Sequence, residues 1–193
     1  MPPNREFWDT SLSRKREDYI ECSRTHFPNL TYCDDVYELK SISEEMSKFE
    51  EENYRQIIID VKRTNPGEAF QAKLAKDMLT RILFVWAFKH PASGYVQGIN
   101  DLAATFMYVF LADIIYQIRS GGKASSDEID ADFNAYEITL DDMALLQEEQ
   151  TQIIEADTFQ CLENFLETLQ ENYIDRQPGI YKIMKRVEQI IRK

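Results

Sequence analysis

Apolar residues recur along this chain at spacings of three and four, so it reads as a succession of helices. The stretch Leu74 to Lys89 carries Leu79, Ile82, Leu83, Phe84, Val85, Trp86 and Phe88. A helix so apolar on nearly every side is the pattern of one buried all round. His90-Pro91 ends it, because Pro91 has no amide hydrogen to donate and disfavours a helical residue before it. A following helix carries Ile99, Leu102, Phe106, Val109, Phe110 and Ile114 and stops at Gly121-Gly122. Its apolar run, Leu102 to Ile118, is interrupted by Thr105, Tyr108, Asp113 and Gln117, so it reads as a core helix and not a bilayer span. Phe159, Leu162, Phe165, Leu166 and Leu169 form a further stripe. After the break Arg176-Gln177-Pro178-Gly179, a last one runs through Ile180, Ile183, Met184, Val187, Ile190 and Ile191. That edge either packs back on the domain or takes a partner.

Upstream the pattern is less regular. A first helix is expected after Ser11, with Asp18, Tyr19 and Cys22 along it, ending before Phe27-Pro28. Ser41-x-x-Glu44 has the form of a capping box and opens a short acidic helix through about Glu52. Tyr54-Arg55-Gln56-Ile57-Ile58-Ile59 is the one short strand candidate, and Arg119 to Asp130 is polar and small, as a loop would be. The fold class is all-α, with no sheet.

Composition narrows the function. The chain has 193 residues, the size of one domain. It carries 34 acidic against 22 basic residues, a net charge of −12, which disfavours a nucleic-acid backbone or an anionic membrane as direct partner. Its three cysteines show no C-x-x-C spacing, so neither a disulfide framework nor a zinc knuckle is indicated, and a reduced, cytoplasmic setting fits. His26 and His90 are the only histidines and neither has a second soft ligand at metal-binding spacing. Neither G-x-S-x-G nor a Gly-rich phosphate loop with its lysine occurs. No cofactor or metal of its own is therefore expected. Most carboxylates, such as Glu44-Glu45 and Glu148-Glu149, sit on acidic helical faces that water solvates.

Two loops remain. One is Ile57-Ile58-Ile59-Asp60-Val61-Lys62-Arg63-Thr64-Asn65-Pro66, the other His90-Pro91-Ala92-Ser93-Gly94-Tyr95-Val96-Gln97-Gly98-Ile99-Asn100-Asp101. Residue by residue, Arg63 reads as half of an Asp60–Arg63 surface pair, Gln97 as a polar residue near a helix start, and Asn100-Asp101 as caps. Taken together, Ile57-x-x-Asp60-x-x-Arg63 followed by Tyr95-x-Gln97 resembles the paired signature of TBC (Tre-2/Bub2/Cdc16) domains, activators of Rab GTPases. Tyr54-Arg55-Gln56, Arg63-Thr64-Asn65-Pro66, Arg81-Ile82-Leu83-Phe84, the run from His90 to Leu102 and Gln177-Pro178-Gly179-Ile180 look like the member-22 branch of that family. The similarity is strongest over Tyr54 to Leu111 and weaker over Phe159 to Ile191.

The resemblance implies a helical fold and a Rab-family small GTPase as partner, which carries the GTP and Mg²⁺. It makes Arg63 an arginine finger and Gln97 a glutamine finger that orients the attacking water in trans. Asp60, Tyr95, Asn100 and Asp101 match supporting positions that hold the loops. Peripheral residence on endomembranes would come through the Rab, without direct membrane insertion; oligomeric state is left open. The family's opening Arg-x-x-x-Trp motif is not matched, since Arg5-Glu6-Phe7-Trp8 has another spacing. Residues 1–40 thus read as a variable helical region and 41–193 as the amino-terminal portion of a TBC domain, its C-terminal half lacking. The rival reading is a non-catalytic helical module that binds a GTPase or an adaptor. For Arg63 and Gln97 to share a site, the chain must return along the helix between them, whose ~16 residues span about 24 Å. An extended Thr64 to Lys73 connector is the expected route.

Overall fold

The computed structural model describes residues 7–33, 46–121, 137–167 and 178–192. Among these residues the chain is helical and no strand occurs, in keeping with the apolar spacing. α1 (Trp8–His26) starts before Ser11 and ends just ahead of Phe27-Pro28. Then come α2 (Lys48–Arg63), a 3-10 turn (Glu68–Gln71), α3 (Lys73–Lys89), α4 (Ile99–Arg119), the short α5 (Leu140–Met143), α6 (Glu148–Glu167) and α7 (Pro178–Ile191). The Ser41-x-x-Glu44 pattern, most of the Arg119 to Asp130 loop, Leu169 and Gln177 lie outside the described residues.

α2 departs from expectation in two ways. Its capping box is built further along the chain: Ser47 Oγ accepts from the Glu50 amide at 3.3 Å, and the Ser47 amide donates to Glu50 Oε2 at 2.8 Å. The helix also runs past Glu52 through the supposed strand. Tyr54, Ile57, Ile58 and Val61 are buried while Ile59 is 44% exposed, which is a helical face and not an alternation of two. Three consecutive isoleucines carry β-branched propensity, and tertiary burial overrides it.

α3 is the centre of the fold. Ala75, Met78, Leu79, Ile82, Leu83 and Val85 are fully buried, and the helix packs against α1, α2, α4 and α6. Each large side chain so buried contributes about 1.5–3 kcal/mol from loss of apolar contact with water. Tyr54 meets Phe84 edge-on with ring centroids 6.0 Å apart. This sets the first half of α2 beside the second half of α3.

Polar cross-ties fix the outer helices. On α6 the buried Glu155 carboxylate accepts from Arg81 Nε at 3.0 Å, from Arg81 Nη2, and from the Tyr19 hydroxyl at 3.0 Å. Burial pushes the Glu155 carboxyl upward against the opposing pull of Arg81, and it pushes the Tyr19 hydroxyl upward too. A buried ion pair of this kind adds little net stability, yet removing either partner leaves an uncompensated charge. By length and composition α4 is comparable to a membrane-crossing helix, but here it packs against α3 and α6. Of the two outcomes open for the last apolar stripe, packing back is not what α7 does: Ile183, Met184, Val187, Ile190 and Ile191 are all about half or more exposed.

Candidate functional site

The site grows from the C-terminal end of α2. The helix stops at Arg63 because Thr64 closes it, its hydroxyl donating to the Asp60 carbonyl at 2.8 Å and its amide to the same oxygen at 3.0 Å. Pro66 then bars any continuation. Arg63 is left on the surface in the last helical turn, where a cation is favoured by the helix dipole. It makes no hydrogen bond or ion pair among the described residues.

The expected Asp60–Arg63 pair does not form. Asp60 is 4% exposed, and its carboxylate instead accepts from the Tyr95 hydroxyl at 2.9 Å, with Gln56 Nε2 at 3.4 Å from the other oxygen. Burial first, and then the bond to this carboxylate, hold the Tyr95 hydroxyl well above the ordinary tyrosine range, so it stays a donor. Surface pairs are worth little; a buried carboxylate without a donor is expensive, and Tyr95 meets that need.

Tyr95 reaches Asp60 because its loop runs along α2. The loop turns at Gly94, whose φ is +59° and whose added Cβ would lie 2.9 Å from Asn53 Oδ1, so both conformation and space favour glycine. Asn53 Oδ1 accepts from the Tyr95 amide at 2.6 Å, and its Nδ2 donates to the Phe49 carbonyl at 2.7 Å. One end of Tyr95 is thus fixed to the second turn of α2 and the other to its last turns. The return that the site requires is made here, by residues 94–98. Thr64 to Lys73 is not the extended connector expected, since it contains the 3-10 turn.

Asn100 completes the latch. Its Nδ2 donates to Thr64 Oγ1 at 2.8 Å and to Asp101 Oδ1 at 3.1 Å. Its Oδ1 accepts from the Gly98 amide at 3.1 Å and lies 3.3 Å from the Tyr95 hydroxyl. Gly98, at φ +99°, turns the chain into α4. A single side chain therefore connects Thr64, the neighbour of Arg63, to Gly98, the neighbour of Gln97. Gln97 itself is exposed and without a bonded partner among the described residues, like Arg63; Asp101 is exposed beside it.

Two buried contributors escape a reading by motif. Thr64 gives only the weak signal of a hydroxyl at a helix end. Asn53 gives a better one, a polar residue four positions before Ile57 on the core face of α2, where a buried amide must find partners. Larger hollows lie elsewhere. One of about 410 Å³ is lined by Lys15, Trp86, His90 and Glu163, another of about 250 Å³ by Tyr19, Ser23, Arg81 and Glu155. Neither includes Arg63 or Gln97. No group of three or more metal-ligating side chains converges among the described residues.

The helical frame belongs to a known class. The Rab-GTPase-TBC domain family matches residues 5–193, and the chain is a member of that family. It is 35% identical over 192 residues to TBC1 domain family member 22B of Homo sapiens, covering 99% of this chain and 31% of that protein. It is 36% identical over 191 residues to the GTPase-activating protein gyp1 of Schizosaccharomyces pombe, covering 98% and 31%. The crystal structure of the Ypt/Rab-GAP domain of Gyp1p superposes with a TM-score of 0.69 at 33% identity, over 99% of this chain and 50% of that one. The chain thus spans about a third of these curated relatives and half of the solved domain.

Proposed function

We propose that this chain is part of a GTPase-activating unit for a Rab-family small GTPase, with Arg63 as arginine finger and Gln97 as glutamine finger. The names of its relatives, GTPase-activating protein gyp1 and the Ypt/Rab-GAP domain of Gyp1p, support the activity. The observation that carries the site is the latch: two exposed side chains, free of partners among the described residues, whose immediate neighbours Thr64 and Gly98 are tied through Asn100. Side chains meant for a foreign nucleotide should stand outside a pocket, and these do.

The chemistry follows from the residue types. Phosphoryl transfer spreads charge over the phosphate oxygens, so positioning and charge stabilisation supply most of the catalysis. The Arg63 guanidinium offers a planar fork of donors that a lysine lacks. The Gln97 amide accepts from the attacking water and donates toward phosphate without titrating. GTP and Mg²⁺ belong to the partner, and contact with membranes comes through it. Asp60, Tyr95, Asn100 and Asp101 act on the two fingers and not on the nucleotide.

The test is single-turnover hydrolysis by a panel of GTP-loaded Rabs with and without the chain. Arg63→Ala should lower stimulated turnover by about a thousandfold or more with an unchanged melting curve. If that variant stimulates as well as the parent, the mechanism is wrong. The exposed apolar face of α7 favours a second reading for the chain by itself, a helical module that binds a GTPase or an adaptor without accelerating it. Binding measured in parallel distinguishes them, since affinity without acceleration selects the module.

A further inference from the structure

Asp60 lies one turn before Arg63 on α2, and residues at that spacing on a helix are neighbours. A carboxylate so placed is the natural competitor for the guanidinium. Arg63 is nevertheless without a partner among the described residues, while the Asp60 carboxylate is covered and bonded by Tyr95 at 2.9 Å. We propose that Tyr95 is a positioning residue which occupies Asp60 and so keeps it from capturing Arg63, leaving the guanidinium available to a partner's phosphate. The inference rests on the reading of Arg63 as a finger.

The argument turns on what happens to a buried anion that loses its donor. Asp60 is 4% exposed, and Gln56 Nε2 at 3.4 Å is a long, weak contact. Without the Tyr95 hydroxyl the carboxylate must find another donor or pay the desolvation of a bare charge. Arg63, one turn away and without a partner among the described residues, is the charged donor at neighbouring helical spacing. An arginine bound to its own chain is both neutralised and turned away, so the finger is lost with the fold intact. Loss of the Tyr95 hydroxyl alone should therefore be worse than its loss together with the Asp60 charge.

The experiment follows the Arg63 Nε–Hε signal by NMR in ¹⁵N-labelled protein, assigned by its loss in Arg63→Ala. It is read beside stimulated GTP turnover in the parent, Tyr95→Phe and the double variant Tyr95→Phe/Asp60→Asn. Capture predicts that in Tyr95→Phe the Arg63 signal shifts and becomes protected from exchange, and stimulation falls about tenfold, the scale of one charge-assisted bond. In the double variant the signal returns and stimulation recovers to within about twofold of the parent. A folded Tyr95→Phe protein with an unmoved Arg63 signal overturns the proposal, as does lost stimulation that Asp60→Asn fails to restore. If Tyr95→Phe does not fold, Asp60→Glu, whose longer arm extends past Tyr95, should capture Arg63 in the same way; an unmoved signal there is equally fatal. Should the parent and Arg63→Ala stimulate alike, the finger reading has failed, while the NMR arm still decides the pairing.

Discussion

Asn100→Ala tests whether the latch is what holds the two surface residues together. The substitution deletes the bond to Thr64 Oγ1 at 2.8 Å and the bond from the Gly98 amide at 3.1 Å, and with them the Asp101 contact. Thr64 keeps its own bond to the Asp60 carbonyl, so only its acceptor role is orphaned. Each net hydrogen bond contributes roughly 0.5–1.5 kcal/mol, and the two principal ones give about 2 kcal/mol. For a chain of this size that corresponds to a fall in Tm of roughly 4–8 °C. The loop should loosen around Gly98, while Asn53 still holds the Tyr95 amide. Thermal denaturation and single-turnover hydrolysis on the same preparations separate the effects. Asn100→Ala should lose both stability and stimulation, whereas Arg63→Ala should lose stimulation alone. An Asn100→Ala protein that melts and stimulates like the parent would refute the idea that this side chain organises the site.

Two further expectations concern the frame. Gly94→Ala must accommodate a Cβ 2.9 Å from Asn53 Oδ1 at a φ of +59°. It should lose about 1–3 kcal/mol in urea denaturation from left-handed strain and the displaced amide together, and a wild-type midpoint would contradict it. The acid limb of stability should report Asp142. Burial pushes that carboxyl up, but the bonds from Arg119 and Thr139 outweigh it and hold the group below its ordinary value of 3.8. A depressed carboxylate lends stability that is present above its unfolded value and lost as pH falls through the folded one. Asp142→Asn should therefore be less stable than the parent at neutral pH and converge with it as the pH falls below the ordinary value of 3.8; a constant gap across that range would count against the assignment.

The helices and the site residues were legible in the sequence to different degrees. α3 announced itself through an unbroken apolar run ended by Pro91, and its observed limits, Lys73–Lys89, differ from expectation by a residue. α2 was legible only to about Glu52, since Ile57-Ile58-Ile59 carries strand propensity until the core selects a helical face. Motif spacing singled out Arg63 and Gln97, whereas Arg63 taken alone suggested a pair with Asp60 that does not form. Spacing along one helix makes Asp60 and Arg63 neighbours, and it carries no information about a tyrosine that arrives from 35 residues away. Asn53 was missed for the same reason, as its bond to Tyr95 spans 42 positions. What one helix dictates can be read from its period; what two distant segments do to each other depends on how α2 and α3 pack.

On the proposed function, that packing divides the site into side chains that act and side chains that hold. Arg63 and Gln97 contribute nothing visible to the fold, being exposed and unbonded among the described residues. Asn53, Thr64 and Asn100 are buried and bonded to one another's segments. Substitutions of the first kind should change rate without touching stability, and those of the second should change both, because the same hydrogen bonds fix the loop and satisfy buried groups. Tyr95 joins the two sets. Its ring belongs to the frame, and on the proposal above its hydroxyl keeps the Asp60 carboxylate from Arg63. If Arg63 is the finger, the anion one helical turn away must be held by another group, and in this chain that holder, Tyr95, comes on the loop that also carries Gln97.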